Sequence, residues 1–395
     1  MCENAALFLD GNYDGVVGGG YLAQYPYQLG LTWYIEAITA IAGPHTYTVL
    51  IAVNMAALLF MGLVGIYICE GVFGKQTPIY YMLLLVGMFP LYFYISFIYG
   101  ECLSMLFSMV FIWQLSRYLE NKKGALLAMC FAGFAAVVFR ANSMIVLIAV
   151  VILLGMQYVV KHKKSLLLAA LLSVIFVFAG RELIQMQYEA RSGYEIGEGI
   201  PATGWIAMGM QEGVRGNGWY SEYGVEIFEQ SGYQTQLANE VALDYIRGRI
   251  REFTEHPDVA WQFYREKILS QWNEPSYQAL LVLNAGVDHS NISKMKQEIM
   301  FGKYYDGILQ YMNLLQTFLY AMAFISAVYL LFKKGKPVAY LFHLIFLGGF
   351  LFQILWEAKS RYVLFYMIVT LPLCAMGISV VCEYVRRGVN KIFAK

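Results

Sequence analysis

The stretch TYTVLIAVNMAALLFMGLVGIYIC, residues 46–69, carries no charged side chain along its whole length. A helix in lipid satisfies its own backbone hydrogen bonds and crosses the hydrocarbon core with about 20 mostly apolar residues. This stretch therefore predicts a membrane-spanning helix. The composition agrees, since 59% of the 395 residues are hydrophobic and 14% are charged, whereas soluble domains have about 25% charged residues.

Eight further segments resemble this one in length and apolar character. The nine segments run over residues 46–69, 78–99, 102–118, 124–139, 143–160, 165–184, 308–332, 337–356 and 362–384. The fourth and fifth could instead form one bent hairpin, because only residues 139–142 separate them. We predict an all-α polytopic membrane protein with about nine transmembrane helices.

The basic loops fix the predicted orientation, because Lys and Arg are retained on the cytoplasmic side during insertion. On a nine-span count, three basic loops and the basic tail fall on one side, which we assign to the cytoplasm. They contain Arg117, Lys122 and Lys123; Lys161, Lys163 and Lys164; Lys333, Lys334 and Lys336; and Arg386, Arg387, Lys391 and Lys395. The chain then lies in the cell membrane with its N-terminus outside, and no Lys or Arg occurs before Lys75.

The predicted spans and their orientation divide the chain into four parts. They are an outer-face loop with an interfacial helix over residues 1–45, a six-span domain over 46–184, an extracytoplasmic domain over 185–305 and a three-span domain with a cytoplasmic tail over 306–395. The interfacial helix, residues 28–42, carries Glu36 and is too short to span comfortably, and its apolar positions form a stripe. The six cysteines are scattered and are interpreted as small core residues.

The polar segment over residues 185–305 contains predicted helices and one predicted loop. Apolar residues recur at three-and-four spacing over 236–253 and 258–272, and Pro257 stands where a helix can begin. The glycine-rich stretch over 193–224 indicates a loop. The segment has 10 basic and 16 acidic residues, a formal charge of −6, which disfavours anionic lipid and nucleic acid as its partners.

Six short motifs on the predicted outer side resemble landmarks of the C-type membrane glycosyltransferase superfamily, in the same order along the chain. They are YPYQLGL at 25–31, YGE at 99–101, RANS at 140–143, PATGWIAMGM at 201–210, KILSQWNEPS at 267–276 and EAKSRY at 357–362. Within that superfamily, the chain resembles bacterial relatives of dolichyl-phosphate-mannose protein mannosyltransferases. The resemblance implies transfer of a sugar from a polyprenyl-phosphate carrier to a glycan, lipid or protein acceptor on the outer face.

Such a transfer needs a carboxylate for the acceptor hydroxyl and a cation for the departing phosphate. Arg140 and Glu101 are the predicted catalytic residues. Arginine between apolar helices is usually kept for a partner or ligand, although Arg140 could be a snorkelling boundary residue. Glu101 could bind a divalent cation, the one cofactor left open, or an acceptor hydroxyl, or it could simply be a carboxylate at a helix N-terminus.

The predicted substrate-binding residues come from the first and last outer motifs. They are Tyr25, Gln28, Glu357, Arg361 and Tyr362. The resemblance makes Arg361 and Tyr362 candidates for the donor phosphate, whereas the four-residue spacing could simply pair Glu357 with Arg361 on one helix face. Tyr25 and Gln28 could contact the sugar, although aromatic residues also populate membrane interfaces.

Other polar and aromatic residues carry weaker signals. Trp205, Trp219 and Trp272 could stack on a sugar or be packed, and Gln310, Asn313 and Gln316 could line a polar cavity or bond between helices. The five histidines form no recognisable ligand set and imply no metal.

The sequence departs from the family at its start. In the family an acidic residue follows a first spanning helix, and both would precede Met1. Either the start codon is misassigned or the protein is a degenerate or divergent member. We favour the first and expect the DNA upstream of Met1 to encode a further span and an acidic residue. The alternatives to a glycosyltransferase are a transporter or lipid flippase, and a non-catalytic scaffold of an envelope-glycan assembly complex.

Overall fold

The computed structural model describes residues 1–284 and 293–393, and the elements in this part of the chain are helices. The described residues also contain one isolated β-bridge, between Trp219 and Ala358. The predicted all-α class is therefore confirmed for the described residues.

Nineteen α-helices follow one another along these residues. The N-terminal part holds α1 (Cys2–Leu9), α2 (Tyr21–Gln24) and α3 (Leu29–Ala42). The first apolar group is α4 (Thr46–Ile68), α5 (Thr77–Gly87), α6 (Phe89–Phe93), α7 (Glu101–Leu119), α8 (Ala125–Phe139), α9 (Met144–Lys161) and α10 (Lys164–Ser192). The polar segment holds α11 (Ala202–Met208), α12 (Tyr223–Gln230), α13 (Thr235–Glu255), α14 (Pro257–Trp272), α15 (Ala279–Asn284) and α16 (Lys294–Met300), and the second apolar group is α17 (Tyr305–Phe332), α18 (Pro337–Leu355) and α19 (Ser360–Phe393).

Seven helical stretches in the described residues are long and apolar enough to cross a membrane, and an eighth is obtained if a bent helix pair counts as one span. They contain eight of the nine predicted segments. The remaining one, the fourth, is α8, whose 15 residues reach about 22 Å, short of a hydrocarbon core of about 30 Å. Length and composition therefore support a polytopic helical protein with seven or eight such stretches, fewer than the nine predicted.

The second predicted segment is broken rather than continuous. The axes of α5 and the stretch Phe89–Ser96 differ by 55°. The break at Met88 precedes Pro90, which lacks an N–H group and disfavours helical backbone in the residue before it.

One part of the predicted interfacial helix, α3, is buried inside the protein. Leu31 and Ile35 of the predicted stripe are fully buried, whereas Ile41 is exposed. Glu36 is also buried and pairs with Arg191 at 2.5 Å. An ion pair inside the protein thus takes the place of water around the Glu36 carboxylate.

Loops predicted on the same side meet at the same end of the bundle. At one end, Lys336 Nζ lies 2.9 Å from Glu120, and the Tyr118 hydroxyl donates to the carbonyl of Ser165 at 2.8 Å. These contacts join the three loops that we predicted to be cytoplasmic. The loops before α7, α9 and α19 lie at the opposite end.

The polar segment is more helical than expected. The helices α13 and α14 confirm the two predicted from periodicity, and α14 begins at Pro257. The loop prediction over 193–224 is wrong at α11, where Pro201 precedes a buried turn of helix around Trp205. The cysteine interpretation holds for four residues, but Cys2 and Cys382 are exposed.

Candidate functional site

A cavity of about 500 Å³ at the end of the bundle opposite the basic loops collects most of the predicted site residues. Its walls include Tyr25, Gln28, Arg140, Glu357, Arg361 and Tyr362. These residues lie up to 337 positions apart in sequence (362 − 25). Among the described residues, the cavity lining thus includes residues from five of the six motifs, all except KILSQWNEPS at 267–276.

Glu101 and Arg140 are brought together where the start of α7 abuts the end of α8. Gly100 precedes α7 with φ +88°, and a Cβ at this position would lie 2.2 Å from the carbonyl oxygen of Phe139. Only glycine allows this approach together with a positive φ. Glu101 therefore opens α7 directly beside Arg140, whose extended backbone ends α8.

The Glu101 and Arg140 side chains form a buried ion pair. Arg140 Nη2 lies 3.4 Å from Glu101 Oε1, and the two side chains are 9% and 5% exposed. Both carboxylate oxygens of Glu101 lack a hydrogen-bond partner among the described residues. Arg140 also lies over the Tyr99 ring, 4.7 Å from its centroid. Arg140 thus faces the cavity, whereas Glu101 lies behind it and balances its charge.

The segment over residues 356–361, which we call the site strip, brings the second carboxylate to the cavity. Glu357 is 2% exposed. Its Oε1 accepts a hydrogen bond from the Tyr362 hydroxyl and lies 3.2 Å from Lys359 Nζ. Its Oε2 has no hydrogen-bond partner among the described residues.

The predicted pairing of Glu357 with Arg361 is not what the structure contains. Glu357 precedes α19, which begins at Ser360, so the four-residue spacing does not put the two residues on one helical face. Lys359 takes the carboxylate instead. Arg361 lies between aromatic rings, 5.2 Å from the centroid of Tyr99 and 5.4 Å from that of Tyr362, and its buried Nε lacks a partner in the described residues.

The charges around the cavity do not balance. Four cationic side chains line it, namely Arg140, Arg181, Lys359 and Arg361. Glu101 pairs with Arg140 and Glu357 with Lys359, whereas no ion pair within 4.0 Å involves Arg181 or Arg361 among the described residues. Four cations and two carboxylates leave a net charge of about +2, which suits an anionic ligand.

The environment of Lys359 makes its charge sensitive to pH. Burial lowers the pKa of the Lys359 ammonium to about 8, although Glu357 opposes the shift and Arg361 adds to it. Its Nζ also lies 4.0 Å from the centroid of the Tyr220 ring. Lys359 is therefore a cation at neutral pH and begins to lose its charge in mildly alkaline solution.

Aromatic side chains form the wall of the cavity that belongs to the polar segment and the N-terminal loop. Tyr25 and Trp205 have ring centroids 5.9 Å apart, and Trp205 stacks on Trp356 at 6.3 Å. The Tyr21 and Tyr99 hydroxyls are hydrogen-bonded at 2.8 Å. Flat aromatic faces beside hydroxyl groups suit a ligand with both apolar and hydroxylated surfaces.

Several residues with weaker sequence signals lie elsewhere. Trp219 donates to Ser270 at 2.9 Å, and Trp272 packs on Phe350 and Tyr366. Of the three tryptophans considered, only Trp205 lines the cavity.

The polar residues of α17 line a separate cavity. Gln310 and Asn313 contribute to its lining, and its volume is about 610 Å³. Among the described residues that line it, Glu274 is the one charged side chain, and it accepts hydrogen bonds from Ser276, Gln278 and Ser360. This second cavity therefore lacks the free cations of the first.

Sequence reasoning missed two cations of the site. Lys359 lies inside the EAKSRY motif, and Arg181 lies inside the sixth predicted span, where an arginine is unusual enough to be noticed. No group of three or more His, Cys, Asp or Glu side chains suited to a metal ion occurs among the described residues. Glu101 and Glu357, the carboxylates of the site, each face a cation instead.

The comparisons with known proteins identify no family for this chain. No family model, no curated protein and no solved structure matches the chain.

Proposed function

We propose that this protein is a membrane glycosyltransferase that moves a sugar from a polyprenyl-phosphate carrier to an acceptor at the outer face of the cell membrane. The observation that carries the proposal is the cavity with a net charge of about +2, bounded by aromatic rings and placed at the end of a bundle of apolar helices. A lipid-linked phosphate sugar has parts that match this site. Its polyprenyl chain suits the bilayer, its phosphate suits the cationic side chains of the cavity, and its sugar suits the aromatic rings.

The charge of the site matches the product of the reaction better than its substrate. A phosphodiester donor carries one negative charge, whereas the polyprenyl phosphate that leaves is a monoester with a charge of about −1.5 to −2 at pH 7. Arg361 and Arg181 supply the two positive charges that no carboxylate of the described site balances. Attraction therefore grows as the leaving group develops its charge, which lowers the barrier rather than only tightening binding.

Glu357 is the proposed base. Its Oε2 lacks a hydrogen-bond partner among the described residues, while Oε1 is held by Tyr362 and Lys359. In the reaction, the acceptor oxygen forms a bond to the anomeric carbon and its proton passes to Glu357. The bond between the anomeric carbon and the phosphate oxygen breaks, and its electron pair leaves with the phosphate. Glu101 keeps Arg140 in place and does not contact the acceptor in this proposal.

The proposed arrangement in the membrane has nine spans. In it the fourth span is the short helix α8 and the second is the broken pair α5 and α6. The N-terminus and residues 185–305 face outward and the C-terminus faces the cytoplasm, because the basic loops gather at the end opposite the cavity. A lipid donor then reaches the cavity from the outer leaflet, and a glycan, lipid or protein acceptor reaches it from water.

A transfer assay with the purified protein tests the function. The full chain in detergent is incubated with polyprenyl-phosphate sugars labelled in the sugar, with and without a membrane-glycan extract as acceptor. We expect label to leave the lipid, Arg140→Ala and Glu357→Gln to reduce the loss, and Glu240→Gln, at an exposed position of α13, to leave it unchanged. If the label stays on the lipid in every condition while the wild-type protein is folded, the proposed glycosyltransferase activity is contradicted.

A transporter or flippase is the second candidate, and the broken helix pair α5 and α6 is the observation that favours it, since discontinuous helices are common in transporters. The same donor in sealed vesicles separates the two functions. A flippase changes which leaflet holds the labelled lipid without cleaving it, whereas a transferase cleaves it.

A further inference from the structure

The site strip contacts the polar segment along most of its length. The N–H of Ala358 donates to the carbonyl of Gly218 at 2.7 Å, and the Ser360 hydroxyl donates to Glu274 at 2.6 Å. Gly218 has φ +72°, and a Cβ there would lie 2.7 Å from Lys267 Cε. The strip is therefore hydrogen-bonded directly to the polar segment, and Lys267 packs closely against Gly218, the residue that accepts one of these bonds.

Lys267 of α14 is the centre of this contact. The side chain is fully buried, and its Nζ donates to the carbonyls of Gly209, Ile354 and Trp356 at 2.5, 2.9 and 2.8 Å. An ammonium group has three N–H donors, and here each has one carbonyl acceptor. Burial lowers the pKa of the Lys267 ammonium to about 7, although the nearby Glu357 carboxylate opposes the shift.

Gln271 and Glu274 continue the same contact. Gln271 Nε2 donates to the side chain of Gln353 at 2.7 Å and to the carbonyl of Lys359 at 3.3 Å. Lys267 and Gln271 are four residues apart and lie on one face of α14, and Glu274 follows just beyond the end of this helix at Trp272. These three residues contact the chain from Gln353 to Ser360.

We propose that Lys267 is a positioning residue of the transferase site, and that docking of α14 through Lys267 and Gln271 holds the site strip in its working placement. The inference rests on the proposed function only for its effect on transfer. Lys267 does not touch the cavity residues Lys359 or Arg361 through its own hydrogen bonds, so its effect passes through the backbone of Ile354 and Trp356. A displacement of about 1 Å in groups that hold a reacting substrate can lower a rate about a hundredfold.

Hydrogen exchange of the full chain in detergent tests the docking without any assay of activity. Lys267→Met keeps the length of the side chain but removes all three donors, and Arg265→Met is the matched control, because Arg265 is exposed on the same helix. We expect the amide of Ala358 to exchange at least tenfold faster in Lys267→Met and at the wild-type rate in Arg265→Met. Gln271→Met, which removes two weaker bonds, serves if Lys267→Met does not fold, and an intermediate increase is then expected.

Transfer measurements on the same variants test the role in the site. We expect Lys267→Met to lower kcat at least tenfold with a smaller change in KM. Deprotonation of Lys359 should reduce the transfer rate of the wild type in alkaline solution, and in Lys267→Met we expect this decline to begin at higher pH, because a loosened strip exposes Lys359 to water. A variant that melts earlier but keeps wild-type exchange at Ala358 and the wild-type pH profile overturns the proposal. If the wild type shows no transfer at all, the proposed function fails, whereas the exchange result still decides whether Lys267 holds the strip.

Discussion

Arg140 Nη2 lies 3.4 Å from Glu101 Oε1; Glu101 begins α7 and Arg140 follows the end of α8, and the two helix ends touch where Gly100 meets the carbonyl of Phe139. A buried ion pair of this kind has two separable consequences. Removing the arginine takes a cation from the cavity, and it also leaves the Glu101 carboxylate buried without a partner charge, which costs about 3–5 kcal/mol of stability.

Substitution of Arg140 should therefore lower both stability and activity. We expect Arg140→Ala to slow transfer on the order of a hundredfold, by analogy with removal of one oxyanion donor, and Arg140→Lys to retain partial activity, because a point charge lacks the planar fork of guanidinium. The measurement is kcat with the melting temperature of each variant in the same detergent.

The double variant Glu101→Gln with Arg140→Ala separates the two effects. Neutralising the unpaired carboxylate should restore much of the stability but none of the activity. If the double variant recovers transfer to the wild-type rate, Arg140 has only a structural role at this boundary.

That the site residues lie at the same end of the bundle was predictable from the distribution of basic residues among the loops. Basic loops recur at every second turn of the chain, so the intervening loops, with Glu101, Arg140 and Glu357, must lie at one end of the bundle. An arginine or carboxylate beside an apolar run stands out in such a chain because it is costly there. The cavity in the structure contains or adjoins these residues.

The partners of these residues were less predictable. Whether Glu357 faces Arg361 or Lys359 depends on where α19 begins, and a shift of three residues in that boundary changes the answer. The role of Lys267 depends on three carbonyls from segments about 60 and 90 residues away and leaves no local pattern. The sequence indicates which charged residues lie at the same end of the bundle, whereas which of them form ion pairs is visible only in the tertiary structure.

The orientation can be checked by impermeant thiol labelling. Cys2 and Cys382 are exposed and must first be replaced by serine, while the other four cysteines are buried. We expect single cysteines at the exposed positions Val214 and Ser293 to label in intact cells, and those at Lys163 and Lys334 to label only after permeabilisation. Labelling at Lys163 in intact cells reverses the proposed topology.

The crossing of α17 and α19 should be sensitive to one added methyl group. A Cβ on Gly377 would lie 2.2 Å from the carbonyl oxygen of Met322, and Ser326 of α17 donates to the carbonyl of Leu373 at 2.6 Å. We expect Gly377→Ala to cost about 1–3 kcal/mol, as overpacking does in cores. Gly155→Ala is the control, because nothing lies within 4 Å of a Cβ there. Equal thermal stability of the two variants in detergent contradicts this close packing.

The last prediction concerns the pH dependence set by Lys359. Burial lowers the pKa of this ammonium to about 8, and a lysine is charged below its pKa, so attraction for the donor phosphate is complete below that pH and declines above it. We expect kcat/KM to fall by up to about tenfold per pH unit above this point. Lys359→Arg stays charged and should flatten the alkaline limb, although its longer planar head lowers the maximal rate. Lys359→Met should be slow and lack this limb. A limb that is unchanged in Lys359→Arg assigns the titration to another group.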